Sequence, residues 1–273
     1  MSGIYSVPWY KLTSTLVLCF WTTTLGVQAQ TETGFLKRSI ELGSERYSYQ
    51  IYLPPNWSPE RTWPVILFLH GAGERGSDGV AQTTVGFPPS LNGLQNFPSI
   101  VVMPQCRRRA WWWDADMEAQ VFKILESSIQ EYRGDPDRVY LTGLSMGGYA
   151  TWAFSYKYSG RFAALVPVCG GIRPRRRLKP PDWHPAANAT VDPYFLTAER
   201  IGQIPVWIFH GSADPVVPTS ESRMMFEALK KSGGNVKYTE YEGVGHNSWD
   251  RAYGEGELLP WLLSQKRSTK RRQ

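Results

Sequence analysis

The stretch Val139-Tyr-Leu-Thr-Gly-Leu-Ser-Met-Gly-Gly148 decides how this chain is read. Residues 138–142 form a short, mainly apolar run of strand length. Residues 148–158 carry Tyr149, Trp152, Ala153 and Tyr156 at helical spacing. Between them stands Gly143-Leu144-Ser145-Met146-Gly147, a G-x-S-x-G pattern on a strand-to-helix turn. Such a turn lifts one hydroxyl out of the sheet, and glycine is needed where backbones approach too closely for a Cβ. The residue after the serine opens a helix, so its N–H has no intrahelical partner and can face a developing negative charge. Five residues alone are a weak signal, because ordinary glycine-rich turns use the same letters. The pattern gains meaning only if a base and an acid follow at suitable places.

Both follow. The apolar run 206–209 leads into His210-Gly-Ser-Ala-Asp214, and the last predicted strand, 236–241, leads into Glu242-Gly-Val-Gly-His246. Each candidate stands just past the C-terminal end of a predicted strand, the edge at which open parallel sheets bind ligands. A serine hydroxyl is a poor nucleophile until a base takes its proton. Imidazole can do so near neutral pH, and a carboxylate on the far ring nitrogen fixes the tautomer. Ser145, Asp214 and His246 are therefore the candidate catalytic residues. The bland readings are a turn aspartate before Pro215 and an ordinary loop histidine. His70 and His210 each end an apolar run before a glycine, where a structural hydrogen bond is expected, and His184 lies in a proline-rich stretch. The oxyanion donors expected are the N–H of Met146 and one from His70-Gly-Ala-Gly-Glu-Arg-Gly76, with Ala72 first and Gly73 as the alternative. Glu74 and Arg75 are expected to pair with each other or to brace that loop.

Outward from this centre, residues 35–53 alternate around Gly43-Ser44 and predict an antiparallel hairpin. Residues 65–69, 99–103 and 162–168 read as buried strands. Helices are expected at 117–132, behind Asp114 and Asp116 as caps, and at 220–232 and 257–264. Strands alternating with helices after a hairpin predict an α/β fold. It would be a mostly parallel central sheet with helices on both faces and an N-terminal antiparallel hairpin. The length of 273 residues suits one large domain, placed at 30–265. Within it, residues 170–203 are rich in proline and arginine and read as a lid-like insertion or pocket wall.

Charge and composition narrow the function. The formal net charge of +6 comes from Lys11 and the five cations of the tail 266–273. Between 30 and 265 acids and bases balance, so no nucleic-acid partner is expected and the basic tail reads as a disordered end. Residues 1–29 read as a signal peptide: a single cation, an apolar stretch over 12–26, and Val27-Gln28-Ala29 before a cleavage point. The mature protein is then expected to be secreted or periplasmic, without a stable membrane anchor. Cys106 and Cys169 remain after such cleavage, either as a disulfide or as two separate thiols, and neither has metal-ligand spacing. Twelve tryptophans are present. Of the run Trp111-Trp112-Trp113, Trp112 and Trp113 are candidate substrate contacts. The runs Arg107–Arg109 and Arg173–Arg177 are a candidate cationic rim that would suit acidic acyl groups.

The set His70-Gly-Ala-Gly-Glu-Arg-Gly76, Val102-Met-Pro-Gln-Cys106 with Trp111–Trp113, Asp135 to Gly148, and Gly245-His246 with Trp249 resembles secreted α/β-hydrolase esterases. These are of the phospholipase/carboxylesterase-like branch, related to feruloyl esterases and polyhydroxybutyrate depolymerases. The resemblance covers roughly residues 35–263. It implies an α/β-hydrolase fold and ester hydrolysis through an acyl-enzyme on Ser145, with no metal or organic cofactor. It also implies a small-molecule or polymer-linked ester as substrate. Two departures from the branch are the arginine-rich segment 173–179 and a third consecutive tryptophan. The alternatives are a serine peptidase of prolyl-oligopeptidase type and a non-catalytic hydrolase-fold binding protein.

Overall fold

In the computed structural model, alternating side chains of the buried strands divide between two apolar layers. Strand β3 (Trp63–Leu69) sends Val65, Leu67 and Leu69 to one layer and Ile66 and Phe68 to the other. Strand β4 (Ile100–Pro104) does the same with Ile100 and Val102 against Val101 and Met103, as the two-residue period of a strand requires. Helices α2 (Ala115–Glu131), α3 (Met146–Lys157), α4 (Pro193–Ile201) and α5 (Ser220–Lys231) close the first layer through residues such as Val121, Phe154, Ala198 and Met225. Helices α1 (Phe87–Ser90), α6 (Trp249–Ala252) and α7 (Leu258–Ser264) close the second through Phe87, Ala252 and Leu262. The structure describes residues 1–3, 32–92, 94, 97–174, 178–187 and 190–267. Most of the expected signal peptide, Arg175–Arg177 and residues 268–273 of the tail lie outside the described residues.

The remaining strands are β1 (Gly34–Leu42), β2 (Glu45–Leu53), β5 (Gly134–Leu144), β6 (Ala164–Val168), β7 (Val206–Gly211) and β8 (Val236–Tyr241). Their order in the sheet is β1-β2-β4-β3-β5-β6-β7-β8. The pairs β1/β2 and β2/β4 are antiparallel, and every later pair is parallel. This is the α/β-hydrolase arrangement expected, with the antiparallel hairpin at one edge. The parallel register sets the geometry of the site. Leu144 pairs with Val168, Val168 with Phe209, and Gly211 with Tyr241. The strands ending before Ser145, Asp214 and His246 therefore finish along one edge of the sheet, with β6 between β5 and β7.

Local chemistry explains the departures from the expected elements. Asp114 precedes α2, but its carboxylate turns back to accept from Trp111 N at 2.8 Å and closes the tryptophan turn instead of capping the helix. Residues 170–203, read as a lid-like insertion or pocket wall, contain a helix that the sequence pattern does not predict. Helix α4 buries Tyr194, Thr197, Ala198 and Ile201, and the Glu221 carboxylate of α5 accepts from Ile172 N and Arg173 N at 2.7 and 3.1 Å. Cys106 and Cys169 are separate buried thiols, both pushed well above the usual thiol range by burial.

Close backbone approach is tightest where α3 starts. A Cβ on Gly147 would overlap the Leu69 carbonyl oxygen, and one on Gly148 would stand 2.6 Å from the Val168 oxygen. Both obstacles are backbone of buried strands, which cannot move aside. Gly147→Ala is expected to destabilise the fold by about 3 kcal/mol through forced repacking, read as a lowered urea midpoint.

Candidate active site

Ser145 occupies the turn between β5 and α3 with φ 53° and ψ −114°. A non-glycine residue in this region carries strain of about 1–3 kcal/mol, and the surrounding bonds hold it there. Ser145 N donates to Val168 O at 3.0 Å, and Tyr149 N donates to Ser145 O at 3.0 Å. The strain has a geometric result: the hydroxyl projects above the sheet edge instead of folding back to cap α3, and it makes no side-chain cap bond.

His246 comes from the β8–α6 loop and stands between the other two groups. Its Nε2 lies 2.8 Å from Ser145 Oγ and its Nδ1 lies 2.7 Å from Asp214 Oδ2. A carboxylate oxygen can only accept, so Nδ1 carries the proton and the Nε2 lone pair faces the serine O–H. The three residues separated in sequence are thus brought into one hydrogen-bonded row. The imidazole is partly open, at 18% side-chain exposure, while the Asp214 side chain is fully buried.

Asp214 has four hydrogen-bond donors. Its Oδ1 accepts from Val216 N and Val217 N at 2.7 and 2.9 Å, and its Oδ2 faces a second histidine, His210 Nε2, at 3.2 Å. Burial alone would raise the carboxyl's pKa, but the bonds from His210, His246 and the two amides outweigh it and hold the group well below the usual carboxylate range. His210 is fully buried. Its Nε2 also meets Val217 O at 3.1 Å, so Nε2 bears the hydrogen, and Nδ1 pairs with Ser222 Oγ at 2.7 Å. The structural bond expected for His210 is present. Its contact with the acid was not foreseen, and its only trace in sequence is the four-residue step to Asp214.

The loop after β3 lies against the serine: a Cβ on Gly71 would come within 3.6 Å of Ser145 Cβ. His70 Nε2 accepts from Cys106 N at 2.9 Å, leaving the hydrogen on Nδ1, which donates to Gly71 O at 2.6 Å. Arg75 braces the same loop, donating to Ala72 O at 3.0 Å and Ala110 O at 3.2 Å. It does not pair with Glu74, whose carboxyl is raised by burial.

The aromatic expectations need correction. Trp112 is not a substrate contact. It is fully buried, with Nε1 donating to His70 O at 3.1 Å and its ring edge-on to His70. Trp113 is only 4% exposed. It stacks on Trp111 at 4.8 Å, and the half-buried Trp111 is the one that meets Tyr149, one turn past Ser145. Arg107 is engaged by the hairpin, with Nη1 2.6 Å from Glu45 Oε2 and its guanidinium over the Tyr47 ring. It is thereby drawn away from the role of a cationic rim for acidic acyl groups.

A family model described as "Prolyl oligopeptidase family" matches residues 112–264, more than half of the chain and all three of these residues. The chain belongs to that family. Among solved structures, a thermostable esterase is 32% identical with a TM-score of 0.70, over 85% of this chain and 63% of that one. An uncharacterized secreted protein of Arthroderma benhamiae is 28% identical over 73% of this chain and 23% of its own length. Acyl-protein thioesterase 1 of Neurospora crassa is 44% identical over 41% of this chain and 40% of its own. The chain thus spans less than two thirds of each of these three relatives.

Two buried histidines make stability pH-dependent. Burial pushes His70 and His184 down to about 4 from 6.5. Between those values the unfolded chain binds more protons than the folded one, so stability falls as pH drops from 6.5 towards 4. The slope approaches roughly 1.4 kcal/mol per pH unit for each histidine. Asp214 adds an acid-side loss only below the unfolded carboxylate range. Denaturant titrations at pH 7, 5.5 and 4.5 should show this decline, and His184→Gln should make it shallower. A flat profile would contradict the burial argument.

Proposed function

We propose that this protein is a serine carboxylic-ester hydrolase acting through an acyl-enzyme on Ser145, with His246 as base and Asp214 as orienting acid. The observation that carries the reading is the row Ser145 Oγ, His246 Nε2, His246 Nδ1 and Asp214 Oδ2, with contacts of 2.8 and 2.7 Å. The esterase and thioesterase among its relatives support acyl transfer from an ester or thioester.

In the reaction, Ser145 Oγ attacks the acyl carbon while its proton passes to His246 Nε2. The carboxylate of Asp214 stabilises the imidazolium that results. Collapse of the tetrahedral adduct breaks the bond to the leaving oxygen, which takes the proton from Nε2. Water then repeats the sequence on the acyl-enzyme and releases the acid. The N–H groups of Met146 and Ala72 receive the oxyanion. Met146 is the first residue of α3 and has an N–H free of the helix ladder. Gly71 O is tied back by His70 Nδ1, so the trans peptide turns the Ala72 N–H to the opposite side.

The catalytic domain is residues 30–265, with 170–203 as a side wall, and the substrate is a small or polymer-linked ester. The protein is secreted, a reading supported by the secreted relative, with cleavage after Ala29 read from the apolar stretch and small residues of 12–29. No helix among the described residues is long and apolar enough to cross a membrane. Peptide hydrolysis is the second reading, favoured by the name of the family.

One set of assays separates these readings. Short-chain p-nitrophenyl esters should turn over and peptide p-nitroanilides should not. Ser145→Ala should reduce ester turnover by at least about a thousandfold, and a fluorophosphonate should form its adduct on Ser145. Amide cleavage without ester cleavage would favour the peptidase, and absence of labelling would mean a non-catalytic protein.

A further inference from the structure

The hydrogen-bonded row that starts at Ser145 does not end at Asp214. The oxygen Oδ2, which accepts from His246 Nδ1 at 2.7 Å, also lies 3.2 Å from His210 Nε2. The same Nε2 stands 3.1 Å from Val217 O, and Val217 N donates to Asp214 Oδ1 at 2.9 Å. One imidazole hydrogen therefore serves both the acid and the loop that holds the acid's other oxygen. Ser222 Oγ on α5 closes the far side of the ring, 2.7 Å from Nδ1. His210 and Ser222 are 0% and 1% exposed, so bulk water does not compete for these bonds.

The start of α5 around Ser222 is itself fixed. Thr219 Oγ1 donates to Gly211 O at 2.8 Å, next to His210 in β7. The Glu221 carboxylate receives the amides of Ile172 and Arg173. The first turn of α5 is thus tied to β7 and to the chain that leaves β6.

Two features separate His210 from an ordinary satisfied core histidine. Val217 O and Ser222 Oγ already occupy its two nitrogens, so burial alone does not call for the acid as a third partner. The contact also falls on the carboxylate oxygen that holds the base. A turn of Asp214 that released His246 would break the bond to His210 as well. With hydrogen on Nε2 and Nδ1 accepting the Ser222 hydroxyl, the ring holds the carboxylate without bringing a second positive charge to it. An ammonium or guanidinium there would hold Asp214 too, but would cancel the charge that stabilises the imidazolium of His246.

We infer that His210, braced by Ser222, is a positioning residue that keeps Asp214 Oδ2 on His246 Nδ1 while leaving the acid's charge to the base. The inference rests on the reading of Ser145, Asp214 and His246 as an acyl-transfer triad. His210 is buried behind the acid, so its loss falls on the chemical step and spares ester binding.

The test compares His210→Leu, which fills the space without a donor, with His210→Gln, whose amide N–H replaces that of Nε2. On a short-chain p-nitrophenyl ester the leucine variant should lower kcat about ten- to a hundredfold, as for loss of one bond to a charged group, with KM within about twofold. The glutamine variant should return kcat to within about fivefold of wild type. Circular dichroism melting shows whether each variant is folded. A folded leucine variant with wild-type kcat, an equal loss in both variants, or a change confined to KM overturns the inference. If the leucine variant does not fold, Ser222→Ala decides. A kcat about threefold lower at unchanged KM supports the role, and wild-type kcat overturns it. Followed by NMR, the His246 Nδ1 proton should exchange with water faster in the folded histidine or serine variant than in wild type, and equal exchange overturns the inference. That readout needs no turnover, so it stands apart from an inactive Ser145, which ester hydrolysis and fluorophosphonate labelling of the wild type report.

Discussion

The structure depends on one close approach, where the start of α3 presses against the ends of β3 and β6. Gly147 faces the Leu69 carbonyl and Gly148 faces the Val168 carbonyl with no room for a side chain. The helix can reach this position only if the chain turns sharply after Leu144, and the turn forces Ser145 to a positive φ. The cost of that conformation is offset by burial on both sides of the sheet. In return the hydroxyl is held in the open while its backbone is locked by bonds to Val168 and Tyr149. A looser junction would allow the serine to relax and cap its own helix.

A second constraint acts on the acid. A buried carboxylate is unfavourable unless every lone pair has a partner. Asp214 meets that condition with two loop amides and two imidazoles. The amides hold the loop 214–217 in a tight turn. His210 is itself anchored by Ser222 on α5, so the acid is tied to β7 and α5 together. His246 thus reaches towards a group that is already fixed in place and in charge. The helix packing and the electrostatics of the site are in this sense one structure.

Much of this was legible from residues alone. The alternation of apolar residues in β1 and β2 and the continuous apolar runs of β3 and β4 specify an edge hairpin and buried parallel strands. Ser145, Asp214 and His246 were legible because each follows such a run, and parallel strands carry their ends to a common edge. The tryptophan run is ambiguous in sequence for a physical reason. Three consecutive residues leave a turn in different directions, and sequence does not say which one points inward. The turn closed by Asp114 drives Trp112 under His70 and leaves Trp111 half-buried. In sequence His210 is only a strand-end histidine, because its contact with the acid depends on how the loop from Gly211 to Val217 closes.

Local periodicity and the places where glycine is obligatory specify strands β1 to β8, helices α2, α3, α5 and α7, the strand-to-helix turn at Ser145 and the three residues at strand ends, whereas helices α4 and α6 leave no such trace. Which side chains face one another across the sheet edge depends on how the loops close and pack. Only the tertiary structure places Asp214 between His210 and His246 and puts Trp112 in the core. These outcomes depend on loop closure and on packing between segments far apart in the chain, and local pattern does not encode them.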